Sequence, residues 1–145
     1  MKRCGLNILS VSEVRKKGQD DYVSEEDGVR MTYSGGEEKQ RGVGIIIDEE
    51  TAERIVEVEK CSDRLIIVKV NATPVDMVLI QVYMPTTTHE DDEVEETYEQ
   101  VERIINKQKG NINVIVMGDF NASVEEGSDE KGIGKYELWK RNVKC

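Results

Sequence analysis

Three segments of this chain end in side chains that could face one small ligand together. Glu13 closes the run "NILSVSE", Tyr83 closes "VLIQVY", and Asp119 and Asn121 follow "NVIVMG". A carboxylate can hold a hard divalent cation or accept a proton. A phenol and a carboxamide can each donate a hydrogen bond to an anionic oxygen. Gly118 lets the backbone bend just before Asp119. In an extended segment Asp119 and Asn121 project to one side, because strand side chains alternate with a period of two. Open α/β sheets present such groups beyond the carboxyl ends of their strands. Each also has a plainer use. Gly-Asp is a common turn pair, Asp-x-Asn makes Asx turns, and a strand tyrosine packs in a core with its hydroxyl at the rim.

The elements that must position these groups follow from the hydrophobic pattern. "LNILSVSE" (6–13) reads as a short buried strand, "GQDDYVSEEDG" (18–28) as an acidic loop, and "VRMTYSGG" (29–36) as a strand closed by glycines. "EEKQR" is an exposed turn and "GVGIII" (42–47) a strand. "RIVEVEK" (54–60) alternates apolar with charged residues, so one face is wet, and "CSD" turns it into "RLIIVKV" (64–70) as a hairpin. After the turn "NATP" (71–74), "DMVLIQVYMP" (76–85) is apolar on both faces and reads as a central strand stopped by Pro85.

A helix is predicted from Thr88 to Lys109. Val94, Tyr98, Val101 and Ile105 recur at helical spacing, which predicts that they are buried while Glu95, Glu96 and Glu99 face water. Thr87 and Glu90 have the spacing of a capping box, Lys107 and Lys109 suit the negative end, and Gly110 follows as the stop. The acidic run "HEDDEVEETYEQ" reads as the solvated side of this helix rather than as a metal site. "INVIVM" (112–117) is a further buried strand, and the tail from Ser123 is loop-like. Strands, then a helix, then a strand define an α/β domain rich in sheet.

Length and composition bound the reading. The 145 residues suit one domain, with 37% hydrophobic and 34% charged residues and a net charge of −10. That charge repels nucleic acid unless a basic patch or a metal ion offsets it locally. No apolar run has the length of a membrane span. Cys4, Cys61 and Cys145 fit no zinc or disulfide spacing, so a reducing compartment, nuclear or cytoplasmic, is expected.

Taken together, the segments resemble the endonuclease/exonuclease/phosphatase superfamily, which includes DNase I, the apurinic/apyrimidinic endonucleases and the LINE-type retrotransposon endonucleases. "MGDFNA" (117–122) is similar to the family's Gly-Asp-x-Asn motif and "VYMPT" (82–86) to its Tyr-x-Pro segment. "ILSVSEVRKKG" (8–18) resembles its metal-ligand strand, and "YSGGEEKQRGVGIII" (33–47) its Tyr-Ser-Gly and Gly-Val-Gly strand pair. "SDRLIIVKV" and "GKYELWKRN" match the retrotransposon branch in order and approximate spacing. The likeness is closest to RTE-type retroelement endonucleases and a domesticated host relative of theirs.

This resemblance implies a DNase I-like two-sheet α/β sandwich and a Mg²⁺-dependent phosphodiester hydrolase acting on DNA, with Mn²⁺ able to replace Mg²⁺. It implies Glu13 as the metal ligand, Asp119 as the group that orients or deprotonates the attacking water, and Asn121 and Tyr83 as hydrogen-bond donors to the phosphate. Glu13 and Asp119 are then expected on one rim.

The family's first-strand Asn, its later Asp and its closing Ser-Asp-His segment have no counterpart here, and the one histidine is His89. Residues 1–145 are therefore expected to match the central part of one such domain, an incomplete sandwich that is inactive as it stands. The alternatives are a non-catalytic retroelement-derived or host binding module, and a phosphatase acting on another phosphoester.

Overall fold

The computed structural model describes residues 1, 4–37, 41–86 and 91–121, with residue 91 described by its backbone alone. The element order is β1 (Ile8–Ser12), β2 (Gln19–Ser24), β3 (Val29–Ser34), β4 (Val43–Asp48), α1 (Glu49–Ala52), β5 (Ile55–Ser62), β6 (Leu65–Val70), β7 (Asp76–Tyr83), α2 (Asp91–Lys107) and β8 (Ile112–Asp119). Two four-stranded sheets form, in the orders β1-β4-β3-β2 and β5-β6-β7-β8. The first is antiparallel throughout. In the second, β8 joins β7 in parallel because α2 carries the chain back across the sheet. The fold is α/β, with two sheets and few helices.

Alternation along the strands builds two cores. Ile45 and Ile47 of β4 cluster with Ile66 and Val68 of β6 and with Leu79 and Tyr83 of β7, so this core lies between the sheets. The opposite faces of β6 and β7 supply Leu65, Ile67, Val78, Ile80 and Val82 to a second core, which Val94, Val101 and Ile104 of α2 cover. Strand β7 therefore has no wet face, as its unbroken apolar sequence predicts. Polar bonds tie the far side: the Gln19 amide donates to Ser34 Oγ at 3.0 Å and to the Lys60 carbonyl at 3.4 Å.

The structure corrects the sequence reading of the elements: α2 ends at Lys107 rather than Lys109, and two larger differences follow. Residues 19–24, read as loop, form strand β2 paired along β3. Its polar composition suits an edge strand, where solvated side chains deter further pairing. The Ser24 hydroxyl, donating to Asp27 at 2.7 Å, and Gly28 at φ 61° close the hairpin.

The buried stripe of α2 is also rotated. Val94 and Val101 pack inward as predicted and Glu95, Glu96 and Glu99 are exposed, but Tyr98 and Ile105 are 39% and 38% exposed. Thr97 and Ile104 take their places on the inner face. At about 100° per residue this shifts the stripe by about 50°. The rotation also brings Glu93 to the buried Arg64. Residues 87–90, with the proposed capping box and His89, and the tail from 122 lie outside the described residues. No helix among the described residues is long and apolar enough to cross a membrane.

The rotated face orders two neighbouring isoleucines. Urea unfolding should show Ile104→Ala costing about 2 kcal/mol, the lower end for a packed isoleucine. Ile105→Ala should cost no more than about 0.5 kcal/mol. The reverse order would place Ile105, not Ile104, against the sheet.

Candidate functional site

Tyr83 stands at the centre of the rim where the two sheets meet. Leu79, Gln81 and Tyr83 share one face of β7, turned toward the other sheet. The Tyr83 hydroxyl donates to Glu13 Oε1 at 3.3 Å, across the sandwich. Alternation alone would not put Glu13 there. Ser10 and Ser12 of β1 face the second sheet, so a continued strand would turn Glu13 away from it. Glu13 instead has φ 54° and Arg15 φ 54°. The N–H groups of Val14 and Arg15 hold that turn by donating to the carbonyls of Gly42 at 3.0 Å and Arg41 at 3.1 Å.

Asp119 arrives from the neighbouring strand. β7 and β8 run parallel with Tyr83 opposite Asp119, so the two are one inter-strand spacing apart, about 4.8 Å. Met84 N–H donates to the Asp119 carbonyl at 2.8 Å and extends the pairing. Close approach explains Gly118: a Cβ there would lie 1.8 Å from the Val82 carbonyl oxygen.

Asp119 and Asn121 do not project side by side from an extended segment. Asn121 has φ 47°, its N–H donates to Asp119 Oδ1 at 2.9 Å, and its amide donates to the Met84 carbonyl at 2.7 Å. The Asx-type turn won over strand alternation because a short carboxylate can satisfy an N–H two residues on. Glu13, Arg15 and Asn121 are the non-glycine residues with positive φ among the described residues, and they cluster at the strand ends named above. Such strained conformations persist where the surroundings over-determine them, and they concentrate at functional sites.

The electrostatics divide the roles. Glu13 is held below the ordinary carboxylate range, first by hydrogen bonding and charge attraction from Arg15, 2.5 Å away, and then by the Tyr83 hydroxyl. Burial pushes the Tyr83 phenol upward, and the nearby Glu13 charge adds to it. At neutral pH Glu13 is therefore an anion and Tyr83 a donor.

Two residues that the sequence reading did not single out hold this arrangement. Arg64 is 6% exposed; it donates to the Tyr83 carbonyl at 3.3 Å, lies 5.5 Å from the centre of the Tyr83 ring, and pairs with Glu93 of α2 at 2.8 Å. Glu93 thus leaves the solvated acidic face to which the sequence reading gave it, because a buried guanidinium needs an anion. Gln81, fully buried, hydrogen-bonds to β1. Both carried a sequence signal: a charge at the head of one apolar strand and a carboxamide within another must find partners.

Among the described residues no three His, Cys, Asp or Glu side chains gather as a metal cage. An ionised Glu13 bonded to Tyr83, with Asp119 on the strand end beside Tyr83, has the chemistry for Mg²⁺, which takes one or two carboxylates and fills its other positions with water and phosphate oxygens. Arg15 already neutralises Glu13, so a cation there would compete with the guanidinium.

The fold and rim thus define a two-sheet α/β sandwich with a tyrosine–carboxylate site at the strand ends. The chain is similar to craniofacial development protein 2 of Bos taurus, 31% identical over 145 residues, and of Tragulus javanicus, 30% identical over 145 residues. Each match covers 98% of this chain but only 24% and 25% of the relative, so the chain spans about a quarter of the length of these curated relatives. No family model matches the chain. Homologues bearing this name agree with the host relative expected from the sequence.

The Glu13 contacts make a pH prediction. Its folded pKa lies below the unfolded value of about 4.3, so its stabilising contribution is complete above that pH. The contribution is lost as pH falls through the lower folded value. A carboxyl-carbon NMR titration should find Glu13 below the ordinary range, moving up further in Arg15→Ala than in Tyr83→Phe. An ordinary Glu13 titration, unchanged in both variants, would contradict the geometry.

Proposed function

We propose that this rim is the metal- and phosphate-holding part of a Mg²⁺-dependent phosphodiester hydrolase site of the endonuclease/exonuclease/phosphatase superfamily, on a DNase I-like sandwich, with DNA as the substrate class. Residues 1–145 correspond, on this reading, to the central part of one such domain. The observation that carries it is the Tyr83–Glu13 hydrogen bond between the sheets, with Asp119 opposite Tyr83 on the next strand.

Glu13 would hold the metal, with Mn²⁺ as a substitute for Mg²⁺. When bound, the ion neutralises charge on the phosphate oxygens. Tyr83, kept protonated by burial, would turn its one O–H from Glu13 to a phosphate oxygen when Glu13 holds the metal. Asp119 orients the attacking water or takes its proton, and its own orientation is set by the Asn121 N–H. Asn121 commits one amide N–H to the Met84 carbonyl, and from that anchored position its carboxamide would donate to the phosphate. Arg64 positions Tyr83 from behind.

One observation favours a second reading, a non-catalytic retroelement-derived or host binding module. Arg15 lies 2.5 Å from Glu13, so a side-chain cation already serves the carboxylate.

A two-part experiment on the 145-residue chain separates the readings. Mg²⁺ should shift the Glu13 and Asp119 carboxyl resonances together in the wild type, and Glu13→Gln should abolish the response. Supercoiled plasmid should not be nicked above background, because losing even one preorganised donor costs about 10²–10³ in rate and several family groups have no counterpart in these residues. Failure of Mg²⁺ to perturb either carboxylate would favour the binding module. Nicking abolished by EDTA and by Asp119→Ala would make these residues a sufficient nuclease.

A further inference from the structure

Gln81 is the one side chain in the interior of β7 that is both fully buried and polar, among apolar neighbours. Burying a carboxamide between two sheets is unfavourable unless its donors and acceptor are met. Here they are met chiefly by β1. Ser10 Oγ donates to Gln81 Oε1, and Gln81 Nε2 donates to Ser12 Oγ at 3.3 Å and to the Val11 carbonyl at 3.4 Å. Ser12 directly precedes Glu13, and Gln81 lies two residues before Tyr83 on the same strand face. The two residues that meet at the rim are therefore carried by two strands that are hydrogen-bonded to each other one step further in.

The rest of the contact between the sheets here is aliphatic. Ile45 and Leu79 are fully buried in it and have no directional bonds to offer. Dispersion and burial hold two sheets together but set their offset along the strands only through packing shape. A shift of about 1 Å would break a 3.3 Å hydrogen bond such as Tyr83–Glu13. The carboxamide accepts from one serine and donates to the other, so its bonds fix the β1 height in both directions.

We propose that Gln81 is a positioning residue for the rim, acting through Ser10 and Ser12 to set β1 against β7 so that Glu13 meets Tyr83 and presents its carboxylate to a divalent cation. The cation half of this statement rests on the proposed function above, and the Glu13–Tyr83 half does not.

The test compares wild type, Gln81→Met, the milder Ser10→Ala/Ser12→Ala pair, and Ile80→Val as a core variant on the opposite face of β7. Nuclear Overhauser contacts between the Tyr83 ring and the Glu13 side chain are read alongside those between Ile45 and Val68 deeper in the core. Gln81→Met and the serine pair should lose the Tyr83–Glu13 contacts and keep the Ile45–Val68 ones, whereas Ile80→Val should keep both. If Gln81→Met does not fold, the serine pair decides. Retention of the Tyr83–Glu13 contacts in the variant that decides overturns the proposal, since Gln81 would then only fill space.

Mn²⁺ broadening of the Glu13 resonances is read on the same samples. Gln81→Met and the serine pair should weaken that broadening relative to wild type, whereas Ile80→Val should leave it unchanged. No broadening of Glu13 in the wild type would refute the metal reading of the site, while the ring contacts would still decide the role of Gln81.

Discussion

Strand β7 has no solvent face: Val78, Ile80 and Val82 lie under α2, and Leu79, Gln81 and Tyr83 lie under the antiparallel sheet. Each fully buried aliphatic side chain contributes about 1.5–3 kcal/mol against the entropy of ordering the chain. β7 therefore anchors both cores at once. Its end emerges from between two layers, and Tyr83 occupies that place. The neighbours follow from it. β8 must run parallel because α2 intervenes, which brings Asp119 level with Tyr83, and β1 must pack across the gap, which brings Glu13 within reach of the phenol.

The site departs from regular structure where it needs to. Regular alternation would have sent Glu13 to the far side of its sheet, and the left-handed turn at Glu13 brings it back. The same conformation at Asn121 folds the chain over Met84 and locks the Asp119 carboxylate. Charge then holds the rim together. Arg64, buried behind Tyr83, is balanced by Glu93 from α2, while Arg15 balances Glu13 from the exposed side. On a chain with a net charge of −10, these local cations offset the acidic side chains gathered at the rim.

Much of this was legible in the sequence. Short apolar runs, alternating or continuous, gave seven of the eight strands among the described residues, because buried strands leave a hydrophobic signature. β2 left none: as an edge strand it is polar, and only its pairing with β3 defines it. The α2 face was misjudged because periodicity gives equal weight to Tyr98 and Thr97. The packing chose the threonine, whose hydroxyl donates back to the Glu93 carbonyl at 2.8 Å. At the rim, the sequence reading placed Glu13, Tyr83 and Asp119 at strand ends, and the structure brings Tyr83 to Glu13 and opposite Asp119. The Asn121 geometry was not legible, because an extended strand and an Asx turn are both compatible with Gly-Asp-Phe-Asn. Gln81 and Arg64 were visible as polar residues in apolar runs, but their partners lie 69 to 71 and 29 positions away in the chain.

The central claim is that Glu13, Tyr83 and Asp119 form one metal-holding rim, and a crystal of the chain soaked in Mn²⁺ tests it most directly. Anomalous density should appear at a single position within coordination distance of the Glu13 carboxylate, on the side facing Asp119, with Arg15 displaced from its pair. Density elsewhere, or none with the Arg15–Glu13 pair intact, would contradict the account.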